Sequence, residues 1–149
     1  MHEAHSVRPL SDYTPVEFFE TRFAHAYGLE EEQAVVCVLK TEYVPIVHFR
    51  NTFGRISEWV AKGFNQKFVF DKRSLRAFHQ PSMEWYYVEW KRDMLAYGLR
   101  QHRKILPAEP WFRKSVMIAK DQIDRRYPDN VIDQLDIRYC NSVEESLAQ

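Results

Sequence analysis

Three features of the sequence predict a mainly α fold, an antiparallel array of about five helices around an aromatic-rich core. Apolar residues recur at steps of three and four, prolines stand where those stretches open, and glycine is scarce, with four in 149 residues. The alternative is an α+β fold with short strands at 34–39 and 68–70. No repeat or composition break divides the chain, so 1–149 reads as a single domain with flexible ends at about 1–12 and 141–149.

The first helix is predicted from Thr14-Pro15-Val16-Glu17, a capping box with proline at the first helical position. Val16, Phe19, Phe23 and Ala26 then share one face as far as Tyr27, and Gly28 serves as the left-handed terminator. Ala34–Leu39 follows as a short buried helix or, from its β-branched content, a strand; helix is favoured because no hairpin signal adjoins it. Pro45 opens a longer helix in which Ile46, Phe49, Phe53, Ile56 and Val60 form an apolar stripe that Gly63 closes. Gly54 inside it costs about 1 kcal/mol of helix propensity and suggests a kink or a close helix contact.

After a brief extended stretch at 67–70 and a turn capped by Asp71, Gln80-Pro81-Ser82 begins the longest predicted helix, with Met83, Tyr87, Trp90, Met94 and Tyr97 inward. Arg100, Arg103 and Lys104 read as cations at its C-terminus. Leu106–Pro110 is a connector, and Pro110 starts a helix that ends at Tyr127 before Pro128. Asp129 or Asn130 caps a last short helix through Ile137, and the tail after Cys140 is expected to fray.

No apolar run approaches the ~18–20 residues of a membrane span, and Met1–Leu10 resembles neither a secretory signal nor a transit peptide, so an intracellular protein without a transmembrane span is expected. Cys37 and Cys140 are too few for a disulfide scaffold or zinc ribbon. Two isolated thiols are the expected state, and a single bridge between them stays open. Net charge is zero, yet residues 43–126 hold 17 Lys/Arg against 8 Asp/Glu, leaving 4 against 13 in the flanks. Acidic ends folding back on a basic middle explain this as well as an acidic partner does, whether nucleic acid or anionic lipid.

The separated glycines cannot cradle a phosphate, no histidine follows a glutamate by three positions, and no His-Glu-x-x-His frame occurs. His2 and His5 are two ligands at most. Glu89 and Asp93 lie a helical turn apart, but Lys91 and Arg92 make that a salt-bridged surface. Cys37 with His25 or His48 has no local support as a nucleophile. Catalytic, cofactor and metal sites are accordingly all expected to be absent, with a small enzyme built from Cys37, His48 and Glu89 as a third reading. Trp85, Tyr86, Tyr87 and Trp90 cannot all point one way at ~100° per residue. They predict an interface, together with Arg100, Arg103 and Arg113. The same arginines, with Lys104, Lys114, Arg125 and Arg126, offer the alternative of a nucleic-acid-binding patch.

Phe49-Arg50, Trp90-Lys91-Arg92-Asp93 and Asp124-Arg125-Arg126-Tyr127, in that order, resemble the PDSW accessory subunit family of mitochondrial respiratory complex I. The chain lacks the paired cysteines that the family's helical hairpin would place between Asp93 and Asp124. The resemblance implies a non-catalytic helical subunit of a large assembly, with larger protein subunits as partners. It also implies a place at the intermembrane-space side of the mitochondrial inner membrane.

Overall fold

The computed structural model describes residues 7–149, so His2 and His5 lie outside the described residues. Six strands form one sheet in chain order: β1 (Pro15–Glu20), β2 (Ala24–Leu29), β3 (Ala34–Leu39), β4 (Lys67–Asp71), β5 (Gln101–Ile105) and β6 (Asp136–Tyr139). The first three make an antiparallel meander, and β3 to β6 run parallel. The parallel joints are crossovers, the first through α1 (Ile46–Ala61). The second runs through α2 (Gln80–Trp85), a π-helical turn (Tyr86–Trp90) and α3 (Lys91–Leu95), and the third through α4 (Pro110–Arg126). A last helix, α5 (Val143–Ala148), follows β6.

This α/β fold corrects the expected helical array, and with it the helical and electron-transport reading that the family resemblance implied. Four predicted helical features fail, and the first is the helix favoured at Ala34–Leu39, which is strand β3 with β2 as its hairpin partner. In 14–27, the Thr21 hydroxyl accepts from the amides of Phe23 and Ala24 at 3.1 and 3.2 Å, holding a turn that reverses the chain. A side chain bonded to nearby backbone in this way competes directly with helix. Pro15 instead starts an edge strand, where no N–H is required. Arg100–Lys104 is no helix end, because His102, Arg103 and Lys104 sit in a central strand. The segment after Asn130 forms a 3-10 turn and β6 in place of the short helix, and the tail forms α5.

Monotonic strand order with three like crossovers puts α1 to α4 on one face of the sheet, here the front. Ala24, Ala26, Val35, Cys37, Phe68 and Phe70 meet Phe53 and Ile56 of α1, Tyr86, Tyr87 and Trp90 of the π turn, and Phe112 and Val116 of α4. On the back, Val36, Val69 and Ile105 lie beneath Val143 and Leu147 of α5. Ser142 caps α5 by accepting from the Glu145 amide, and buried Lys67 donates to the Ser146 and Leu147 carbonyls at its other end, both at 3.1 Å. That cation at a helix C-terminus satisfies carbonyls that the helix itself leaves open.

Gly28 lies in β2, not at a helix end. A Cβ there would stand 2.2 Å from the Phe18 ring and 2.7 Å from Phe64, so the absence of a side chain lets Phe18 lie across the strand and stack on Trp59 at 4.0 Å. Gly54 has nothing within 4 Å of its missing Cβ, which removes the kink or close contact expected there. Opposite outcomes are therefore expected in urea denaturation. Gly28→Ala destabilises by about 1–3 kcal/mol through overpacking, whereas Gly54→Ala stabilises by about 0.5–1 kcal/mol.

Candidate functional site

The predicted interface residues do not form one surface. Tyr86, Tyr87 and Trp90 are all buried, at 2%, 1% and 2% exposure, and Trp85 is half-buried beneath the Arg50 guanidinium, 5.4 Å from its ring. Tyr86, Tyr87 and Trp90 share the side of the π turn that faces the sheet, and Trp85 is the ring left at its edge. Trp90 Nε1 donates to the Phe53 carbonyl at 3.2 Å and to Ser57 Oγ at 2.9 Å, tying the π turn to α1. Arg103 is also buried, spanning to Asp136 and to the Gln149 carbonyl on the back face. Only Arg100 and Arg113 remain as exposed arginines from that set.

Beneath the π turn lies a cluster that sequence reasoning missed. Lys91, His102 and Lys104 are each 0% exposed, and Lys72 is buried beside them. Lys91 Nζ meets His102 Nδ1 at 3.0 Å and lies 4.5 Å from the Tyr86 ring centre, while Lys104 Nζ bonds to the Tyr87 hydroxyl and stands 3.9 Å from that ring. The Tyr86 hydroxyl has no hydrogen-bond partner among the described residues. Burial, followed by the charges of neighbouring lysines, holds Lys91 and Lys104 well below the ordinary lysine range. Burial alone brings Lys72 to about 8, and burial with the adjacent lysines keeps His102 well below its usual value. Tyr86 and Tyr87 are pushed well above the usual phenol range, again chiefly by burial. Burial thus disfavours the charged forms of the amines, the imidazole and the phenols alike, as it does for titratable groups packed away from water.

Lys104 leads outward. It pairs in register with Tyr139 of β6. Tyr139 in turn lines a groove of about 240 Å³ with Leu106, Arg113, Met117, Cys140 and Asn141. The groove lies at the carboxyl ends of β5 and β6, the end of an open α/β sheet where ligands collect. On the outer side of α4, Trp111, Met117 and Ile118 are 54%, 50% and 52% exposed.

The remaining candidates are dispersed. Cys37 is fully buried on the front face, with its thiol pushed up by burial, while His25 projects from the back of β2 to Glu17 at 2.6 Å. His48 stacks on Phe23 at 4.4 Å. Cys37 and Cys140 are free thiols, not a bridge. Asp93 pairs with Arg92 at 3.1 Å, and Glu89 lines a separate shallow groove with Arg50, Trp85 and Tyr127. Among the described residues no helix is long and apolar enough to cross a membrane. Comparison with protein families, curated proteins and solved structures gives no significant match.

The buried bases and phenols set a pH profile. His102 and the lysines have depressed native values, so the unfolded chain binds more protons and stability rises with pH, first through about 6.5 and then from about 8 towards 10. Tyr86 and Tyr87 have raised native values, so stability falls again once unfolded tyrosines ionise above about 10. Urea midpoints measured from pH 6 to 11 are expected to peak near 10. Lys91→Met is expected to flatten the rise between 8 and 10 and to stabilise the protein at pH 7.

Proposed function

We propose that this chain is a non-catalytic interaction domain that joins a larger assembly through the outer face of α4. The observation that carries this reading is that α4 is apolar on two sides. Phe112, Val116, Ala119 and Ile123 face the sheet, while Trp111, Met117 and Ile118 face solvent at about half exposure each. A helix that has already met its own core has no folding use for a second apolar face, and Trp, Met and Arg are the residues that concentrate at protein interfaces. Arg113 and Lys114 stand among these side chains without an ion pair among the described residues, whereas Arg125 and Arg126 are taken by Asp121 and Glu84. The partner surface that fits is therefore a protein with an apolar ridge flanked by carboxylates.

The basic residues do not favour nucleic acid. Arg103 and Lys104 are buried, and two of the α4 arginines are paired with Asp121 and Glu84.

Quantitative cross-linking in the source cell, with wild type and a Trp111→Asp/Ile118→Asp variant of matched circular dichroism, tests this reading. Wild-type Lys114 is expected to cross-link to one partner protein, and the variant to lose at least nine-tenths of that product, as loss of a central Trp anchor implies. Equal cross-linking by both proteins, or none by either, would sink the proposal.

A further inference from the structure

The outer face of α4 is complementary to itself. At about 100° per residue, Trp111, Lys114, Ile118, Asp121 and Arg125 fall within about 60° of Ile118 and form one stripe. All five are exposed. Ile118 stands at the centre of the stripe. At a rise of about 1.5 Å per residue, Trp111 and Arg125 lie about 10 Å to either side of it along the axis. Lys114 and Asp121 lie about 6 and 4.5 Å to either side, both on one flank, and Ser115 and Gln122 mirror them on the other. Opposite charges therefore stand at nearly equal distances from the middle. Lys114 has no ion pair among the described residues, while Asp121 holds Arg125 through Oδ2 at 2.9 Å, with both side chains well exposed. Such a surface pair is worth only a few tenths of a kcal/mol, so it does not withhold the carboxylate from a second cation. Arg113 and Met117 point about 140° and 100° away from Ile118 and lie off this stripe.

We propose that the partner docked on α4 is a second copy of this chain, with the two α4 helices antiparallel about a two-fold axis at Ile118. The proposal rests on the docking reading of α4 and names its partner. Ile118 packs on Ile118, and Lys114 of each copy meets Asp121 of the other. Ser115 meets Gln122 on the opposite flank, and each Arg125 guanidinium lies on the other copy's Trp111 ring. The charges choose the direction. A parallel pair about the same residue would set Lys114 on Lys114, Asp121 on Asp121 and Arg125 on Arg125, which repel. Antiparallel pairing turns every one of these into an attractive contact and repeats each contact twice. An isologous contact of this kind closes on itself, so the assembly that α4 joins is in the first instance a dimer and not a filament.

The test is sedimentation equilibrium of the purified chain and three charge-exchange variants. One helix pair buries less than a standard interface, so the dimer is weak and protein is taken up to about 1 mM at low salt. Wild type is expected to follow a monomer–dimer equilibrium. Lys114→Glu brings carboxylates together at both ends of the stripe, and Asp121→Lys brings cations together. Each should weaken dimerisation about tenfold or more. The double exchange Lys114→Glu/Asp121→Lys restores opposite signs and should return the dissociation constant to within about threefold of wild type. Both positions are exposed, so no variant alters the core. Three results would overturn the proposal: a wild type that stays monomeric, single exchanges that dimerise as well as wild type, or a double exchange as weak as the single ones. With a monomeric wild type, cross-linking in the cell separates the two readings. A Lys114 product with a different protein removes only the second copy, and no product removes the docking face as well.

Discussion

The constraint on which the rest of this structure depends is the burial of β5, a central parallel strand that reads Gln-His-Arg-Lys-Ile. Central strands of parallel sheets ordinarily carry unbroken apolar side chains because both faces are covered. Here each face meets a cation. On the front, His102 and Lys104 are roofed by Tyr86, Tyr87 and Lys91, and on the back, Arg103 reaches Asp136 and the Gln149 carbonyl. Lys67 on the neighbouring strand is held in the same way by the final carbonyls of α5. The back solves the problem with carbonyls and a carboxylate. The front packs its amines against tyrosine rings and hydroxyls, where burial disfavours their charged form.

These two solutions explain elements that otherwise look accidental. The π turn departs from regular helix geometry where two phenols, an indole and the following Lys91 amine pack to one side over β5, and such turns frequently mark functional segments. The docking of α5 follows from the need of Lys67 and Arg103 for acceptors. Covering β5 also leaves a surplus: α4 closes over β5 and β6 with one face and still presents Trp111, Met117 and Ile118 outward. The core and the surface with interaction chemistry therefore sit on opposite sides of one helix.

Parts of this were legible in the sequence. The helix from Pro45 and the helix from Pro110 were marked by their prolines and apolar stripes, and they stand at Ile46–Ala61 and Pro110–Arg126. The β-branched run Ala34–Leu39 carried its strand character, but period alone did not separate strand from buried helix over six residues. The β1–β2 pair was hidden because its turn rests on one Thr21 hydroxyl, not on an Asn-Gly or Gly-rich signal. β5 was hidden more deeply, since nothing local distinguishes cations that cap a helix from cations that need a roof of tyrosines. The crowding of rings at Trp85–Trp90 was a real signal, and the chain's own core absorbs Tyr86, Tyr87 and Trp90. The groove at Tyr139 had no local sign, because it joins Leu106 just past β5 with residues of α4 and the end of β6.

The central claim, that Lys91 and Lys104 are sealed beneath the π turn, is tested most directly by amine-labelling footprinting of the native protein with mass spectrometry at single-lysine resolution. Lys62 and Lys114, both exposed, should label quickly, while Lys91 and Lys104 should label only at the rate of global unfolding. Labelling of Lys91 or Lys104 as fast as that of Lys114 would contradict the account.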